Sequence, residues 1–124
     1  MADFHISASS RVGCVRTNNH WQPLSCSELL RNDVYKTSFT TKADNRLLLA
    51  IADGMGGHNC GEVASEDSLT NLRFFFDDLP LNMTEGNLRQ AMDNWLKSMC
   101  LAVEAKGKED PIYRGMGTTL VAFL

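Results

Sequence analysis

The chain has 124 residues, of which 44% are hydrophobic and 22% charged. That composition suits one modest globular core and excludes a disordered tail, a collagen-like chain or a coiled coil. Twelve basic against fifteen acidic residues leave a net charge of -3, so no basic excess exists to offset a phosphate backbone, and nucleic acid is excluded as a general partner.

The elements follow in chain order. Residues 4–8 alternate, with Phe4, Ile6 and Ala8 set against His5 and Ser7, which predicts a half-buried strand. A short strand is expected over 12–16. Residues 18–27 are polar and contain Pro23, so a loop is expected there, with one helical turn over 25–30. Residues 34–40 are rich in β-branched and aromatic side chains and predict a strand. Ala43-Asp44-Asn45 is a turn signal. The continuous apolar run 47–52 is too short for a stable helix and predicts a strand buried on both faces. It is also far too short to cross a bilayer, so no membrane partner is expected.

The segment Asp53-Gly54-Met55-Gly56-Gly57-His58-Asn59 comes next. Three glycines in four positions imply backbone conformations or close approaches that a Cβ would block. A helix is expected from about 61 to 77. Ala64, Ser65, Ser68, Leu69, Leu72, Phe75 and Phe76 fall on its buried face, Glu62 suits its positive end, and Pro80 stops it. A second helix should begin after Thr84 as N-cap and run to about residue 106, with Gly107 as the residue beyond its end. Leu88, Met92, Trp95, Leu96, Met99 and Val103 make its apolar stripe. Gly115-Met116-Gly117 is a further turn, and 118–124 is a strand. An apolar strand there, without a partner, is an association-prone edge, so a truncated chain with self-association through exposed sheet edges is expected.

Most of the remaining residues read as packing or solvation. Phe74 and the neighbouring aromatics belong to the core, and Asp77-Asp78 and residues 106–110 are solvated helix ends. The start of the chain has no apolar signal core. Cys14, Cys26, Cys60 and Cys100 contain no CxxC pair. They read as reduced thiols in a cytoplasmic protein rather than as a zinc site.

The chemistry concentrates at residues 50–58. A buried strand that delivers a carboxylate directly before a glycine-rich loop and a helix start can present Asp53 to a hard cation such as Mg²⁺ or Mn²⁺. The same turn is also compatible with Asp53 as a plain cap. A P-loop is excluded, because no Lys-Ser/Thr pair follows the glycines, and the spacing of a dinucleotide fingerprint is not completed.

Three segments, RVGCVRTNN (11–19), LAIADGMGGHNCGEVAS (49–65) and GMGTTL (115–120), together resemble the metal-dependent protein phosphatases of the type 2C (PPM) family, in their bacterial form. The resemblance implies an α+β fold, part of an αββα sandwich of antiparallel sheets flanked by helices. Residues 1–124 would be the N-terminal half of such a domain. It implies a protein serine/threonine phosphatase in which two Mn²⁺ or Mg²⁺ ions activate a bridging water against phosphoserine or phosphothreonine. The implied partners are a phosphorylated protein substrate and an opposing protein kinase.

Residue by residue, the resemblance makes Asp53 the bridging carboxylate and Gly54 a backbone-carbonyl ligand. Arg16 would hold the substrate phosphate, which suits the fork of a guanidinium. Gly56, Gly57, His58, Thr118 and Thr119 would support the site. One departure stands out. Where the family continues to an acidic pair, this chain has Asn19-His20-Trp21. Either His20 takes the place of an acid, or 20–31 is an insertion and Asp33 supplies the carboxylate. Further metal-binding aspartates of the family have no match here, so weak metal binding is expected. The alternative reading is a catalytically inactive pseudophosphatase fragment that acts as a binding or regulatory protein.

Overall fold

The structure is a computed structural model and describes residues 2–9, 21–25, 28–29, 34–41, 47–56 and 60–124. The elements are β1 (Ala2–Ser9), β2 (Trp21–Ser25), β3 (Glu28–Leu29), β4 (Val34–Thr41), β5 (Leu49–Met55), α1 (Cys60–Asp78), α2 (Glu85–Glu109), a 3₁₀ turn (Pro111–Tyr113) and β6 (Gly117–Phe123). All described strand pairs are antiparallel. β1 and β4 form one two-stranded sheet, and a four-stranded sheet has the order β3-β2-β5-β6. Mixed helices and antiparallel sheets bear out the α+β expectation.

The core lies between α1, α2 and one face of the four-stranded sheet. Ala50 and Ala52 of β5 meet Leu69 and Leu72 of α1 and Trp95 and Met99 of α2, with Phe75, Phe76, Met92, Val103 and Leu120 partly buried around them. Leu69 and Leu72 are fully buried, and each such side chain contributes about 2 kcal/mol in area terms. The Trp95 indole lies 5.7 Å from the Phe75 ring, and its Nε1–H donates to Asn71 Oδ1 at 3.2 Å. A buried indole thus keeps a partner for its polar end.

Several expectations change here. β5 is not buried on both faces. Ala50, Ala52 and Gly54 point into the core, while Ile51 is 45% and Met55 60% exposed. The strand also runs on through Asp53-Gly54-Met55 instead of ending at 52. β2 forms despite Pro23. β3 pairs only with Leu24 and Ser25, so among the described residues Pro23 has a strand neighbour on one side only, an edge-like position where the missing donor is tolerated. Glu28–Leu29 is a strand pair rather than part of a helical turn.

The helices match closely, except at the end of α2 and at Phe74 and Leu96. Thr84 caps α2, its side chain accepting from the Asn87 N–H at 3.2 Å. However, α2 passes Gly107 and ends at Glu109, where Asp110 donates its N–H to the Lys106 carbonyl and its carboxylate accepts from the Ile112 N–H. A Cβ on Gly107 would stand 3.1 Å from the Tyr113 carbonyl oxygen, a tight approach that glycine relieves. Phe74 and Leu96 are 64% and 49% exposed rather than core. The strand expected over 12–16 and the turn at 43–45 lie outside the described residues.

Candidate functional site

Alternation along β5 sorts the two residues of the Asp-Gly pair onto opposite faces. Asp53 lies on the exposed face, away from the helices, and Gly54 is buried beneath α1. Gly54 is there for steric reasons. A Cβ on it would stand 1.7 Å from the Gly61 carbonyl oxygen, and a Cβ on Gly61 would stand 2.8 Å from the Gly54 carbonyl carbon. The first turn of α1 therefore lies directly on the end of β5, and only glycine on both sides permits that approach. Gly56 follows with φ +145°, and a Cβ there would meet the Cys60 Cβ at 3.0 Å.

Two further contacts frame this end of the sheet. The Cys60 thiol donates to the Ile112 carbonyl at 2.8 Å, tying the start of α1 to the 3₁₀ turn. Cys60, Ala64 and Met116 form a small buried cluster beside it, with Tyr113 partly buried against them. Across the sheet, Thr119 is in register with Asp53 and Thr118 with Gly54. The Thr119 hydroxyl donates toward the Asp53 backbone carbonyl at 3.4 Å, and the Thr118 hydroxyl donates to the Thr119 carbonyl at 2.9 Å. Both threonines thus act locally on β5 and β6 backbone. On the other side, Trp21 of β2 holds the register position opposite Asp53.

Of the residues singled out from the sequence, the structure brings together Asp53, Gly54, Gly56, Thr118 and Thr119 at one end of β5 and β6. Arg16, His20, Asp33, Gly57 and His58 lie outside the described residues. Among the described residues no group of three or more His, Cys, Asp or Glu side chains is placed to hold a metal ion. Hard divalent ions take about six oxygen ligands, so Asp53 and the Gly54 carbonyl do not complete a metal site by themselves. Gly61 and Cys60 belong to this frame without a sequence pattern of their own that assigns them to it. A glycine in the first turn of a helix, where it is a poor helix former, was the available signal.

A separate apolar cavity of about 630 Å³ lies between α2 and β6. Trp95, Met99 and Val103 form one wall, and Met116, Thr118 and Leu120 the other. Asp53 is not among its lining residues, so this cavity is distinct from the carboxylate end of β5. Lys106 is not merely a solvated helix end. Its ammonium lies 2.7 Å from Asp67 Oδ2 on α1 and 5.2 Å from the centre of the Tyr113 ring. The hydrogen bond to Asp67 is the main cause that raises its pKa above the usual lysine value.

No family model matches the chain. The serine/threonine protein phosphatase PstP of Mycobacterium tuberculosis is 43% identical over 77 residues, 62% of this chain and 14% of that protein. The protein phosphatase PhpP of Streptococcus pneumoniae is 33% identical over 115 residues, 93% of this chain and 40% of that protein. The crystal structure of Mycobacterium tuberculosis PstP/Ppp superposes with a TM-score of 0.64 at 32% identity, over 100% of this chain and 43% of that one. A structure of the PstP catalytic domain in complex with two manganese ions gives 0.63 at 32% identity, over 98% and 43%. The chain thus spans less than half the length of these relatives. Sequence and fold agree that what it matches, over nearly all of its own residues, is part of a bacterial serine/threonine protein phosphatase, as the resemblance to the type 2C family implies.

Proposed function

We propose that residues 1–124 are part of a metal-dependent protein serine/threonine phosphatase domain that hydrolyses phosphoserine and phosphothreonine in proteins. The observation that carries this reading is the end of β5. There Asp53 is presented on an exposed face while Gly54 is fixed beneath the first turn of α1, within a chain homologous to such phosphatases.

In this reading Asp53 and the Gly54 carbonyl are the residues of β5 that would face Mn²⁺ or Mg²⁺, with His20 or Asp33 as further ligands, and Arg16 would bind the substrate phosphate. Bound divalent ions would supply an activated water and balance the charge on the phosphate oxygens. The protein's own part is to hold Asp53 in place. The Gly54–Gly61 contact, the Cys60–Ile112 hydrogen bond and the pairing with Thr119 each fix the backbone on which Asp53 stands. An opposing kinase and a cytoplasmic setting belong to the same proposal. Both rest on the likeness to bacterial serine/threonine phosphatases.

A second reading, a non-catalytic pseudophosphatase unit, is favoured by one observation. Trp21, which has no ligating atom, occupies the register position opposite Asp53, after a segment, Asn19-His20, that lacks the acidic pair. One experiment separates the two. The purified chain is assayed for Mn²⁺-dependent hydrolysis of p-nitrophenyl phosphate, with Asp53→Ala as control. Activity that disappears in the control supports the phosphatase reading. A folded sample without activity means that these residues form a half-site whose own role, if any, is binding. Calorimetry with Mn²⁺ should show binding weaker than micromolar, since two ions need more oxygen ligands than Asp53 and Gly54 provide. Micromolar affinity would mean that His20, Asp33 or another carboxylate completes the shell.

A further inference from the structure

No further inference is drawn: the strongest candidate, the exposed apolar face of the four-stranded sheet around Ile51, Val121 and Phe123, carries none, because nothing in the structure shows what covers it.

Discussion

Gly54 and Gly86 share a residue type and differ in everything around it. At Gly54 a methyl group would meet the Gly61 backbone at 1.7 Å, whereas at Gly86, in the first turn of α2, nothing lies within 4 Å of the added carbon. The first is a clash between two backbones, which cannot be relieved by a rotamer change. Gly54→Ala should therefore lose at least about 3 kcal/mol, beyond the usual range for overpacking. Gly86→Ala should gain about 0.5–1 kcal/mol, because alanine restricts the unfolded chain and favours the helix. Urea denaturation of both variants against the parent checks this. An unchanged midpoint for Gly54→Ala would show that α1 does not rest on β5. The cluster of glycines at 54–57 was legible in the sequence as a place of close approach. What approaches was not, because Gly61 acts on Gly54 across a turn whose course no local pattern fixes. The same limit applies to Cys60, whose hydrogen-bond partner Ile112 lies 52 residues away.

Elements were easier to read than the ties between them. The 3.6-residue spacing of Leu69, Leu72, Trp95 and Met99 located both helices and their buried stripes, and Thr84 marked the start of α2. Gly107 looks like a terminating glycine, yet α2 runs past it to Glu109, and Gly107 packs closely against the Tyr113 backbone. Lys106, one residue earlier, joins three elements: α2, Asp67 on α1 and Tyr113 in the 3₁₀ turn. Both members of the Lys106–Asp67 pair are more than a third exposed, so solvent screening limits its value to under about 1 kcal/mol. Its pH dependence has a definite sign. Lys106 titrates above its ordinary value of 10.5 in the folded protein. The stabilisation is therefore fully present below the unfolded pKa and is lost as pH rises through the raised folded pKa. Lys106→Met should lower stability slightly at pH 8, and the gap to the parent should close in strongly alkaline buffer. Thermal melts of both proteins at the two pH values test it. A gap that persists unchanged would assign the effect to packing of the aliphatic stem against Tyr113.

For the molecule as a whole, the continuous apolar run 47–52 concealed an alternation. Six apolar residues in succession suggest a strand enclosed on both sides, yet of those in β5 Ala50 and Ala52 face the helices, while Ile51 faces away. On the other face Ile51 pairs with Val121, and Leu49 pairs with Phe123. Val121 is 72% and Phe123 59% exposed. Directly opposed residues of an antiparallel pair share a face, so these side chains form one apolar surface, which ends at Asp53, the next outward residue of β5. β6 also lies at the edge of the described four-stranded sheet. An exposed apolar face beside a strand edge that has no partner among the described residues favours association with whatever is present. For the isolated chain in dilute buffer, that is other copies of itself. Sedimentation velocity over a hundredfold concentration range should therefore show a weight-average mass rising above 13.8 kDa. Val121→Lys should suppress that rise. It places a charge on the face at a residue already mostly in solvent, so circular dichroism and melting temperature should stay close to the parent. Leu101→Lys, at a 67% exposed position on α2, should leave the association unchanged. If the two substitutions act alike, the association is not through the sheet face, and net charge alone explains the change in solubility.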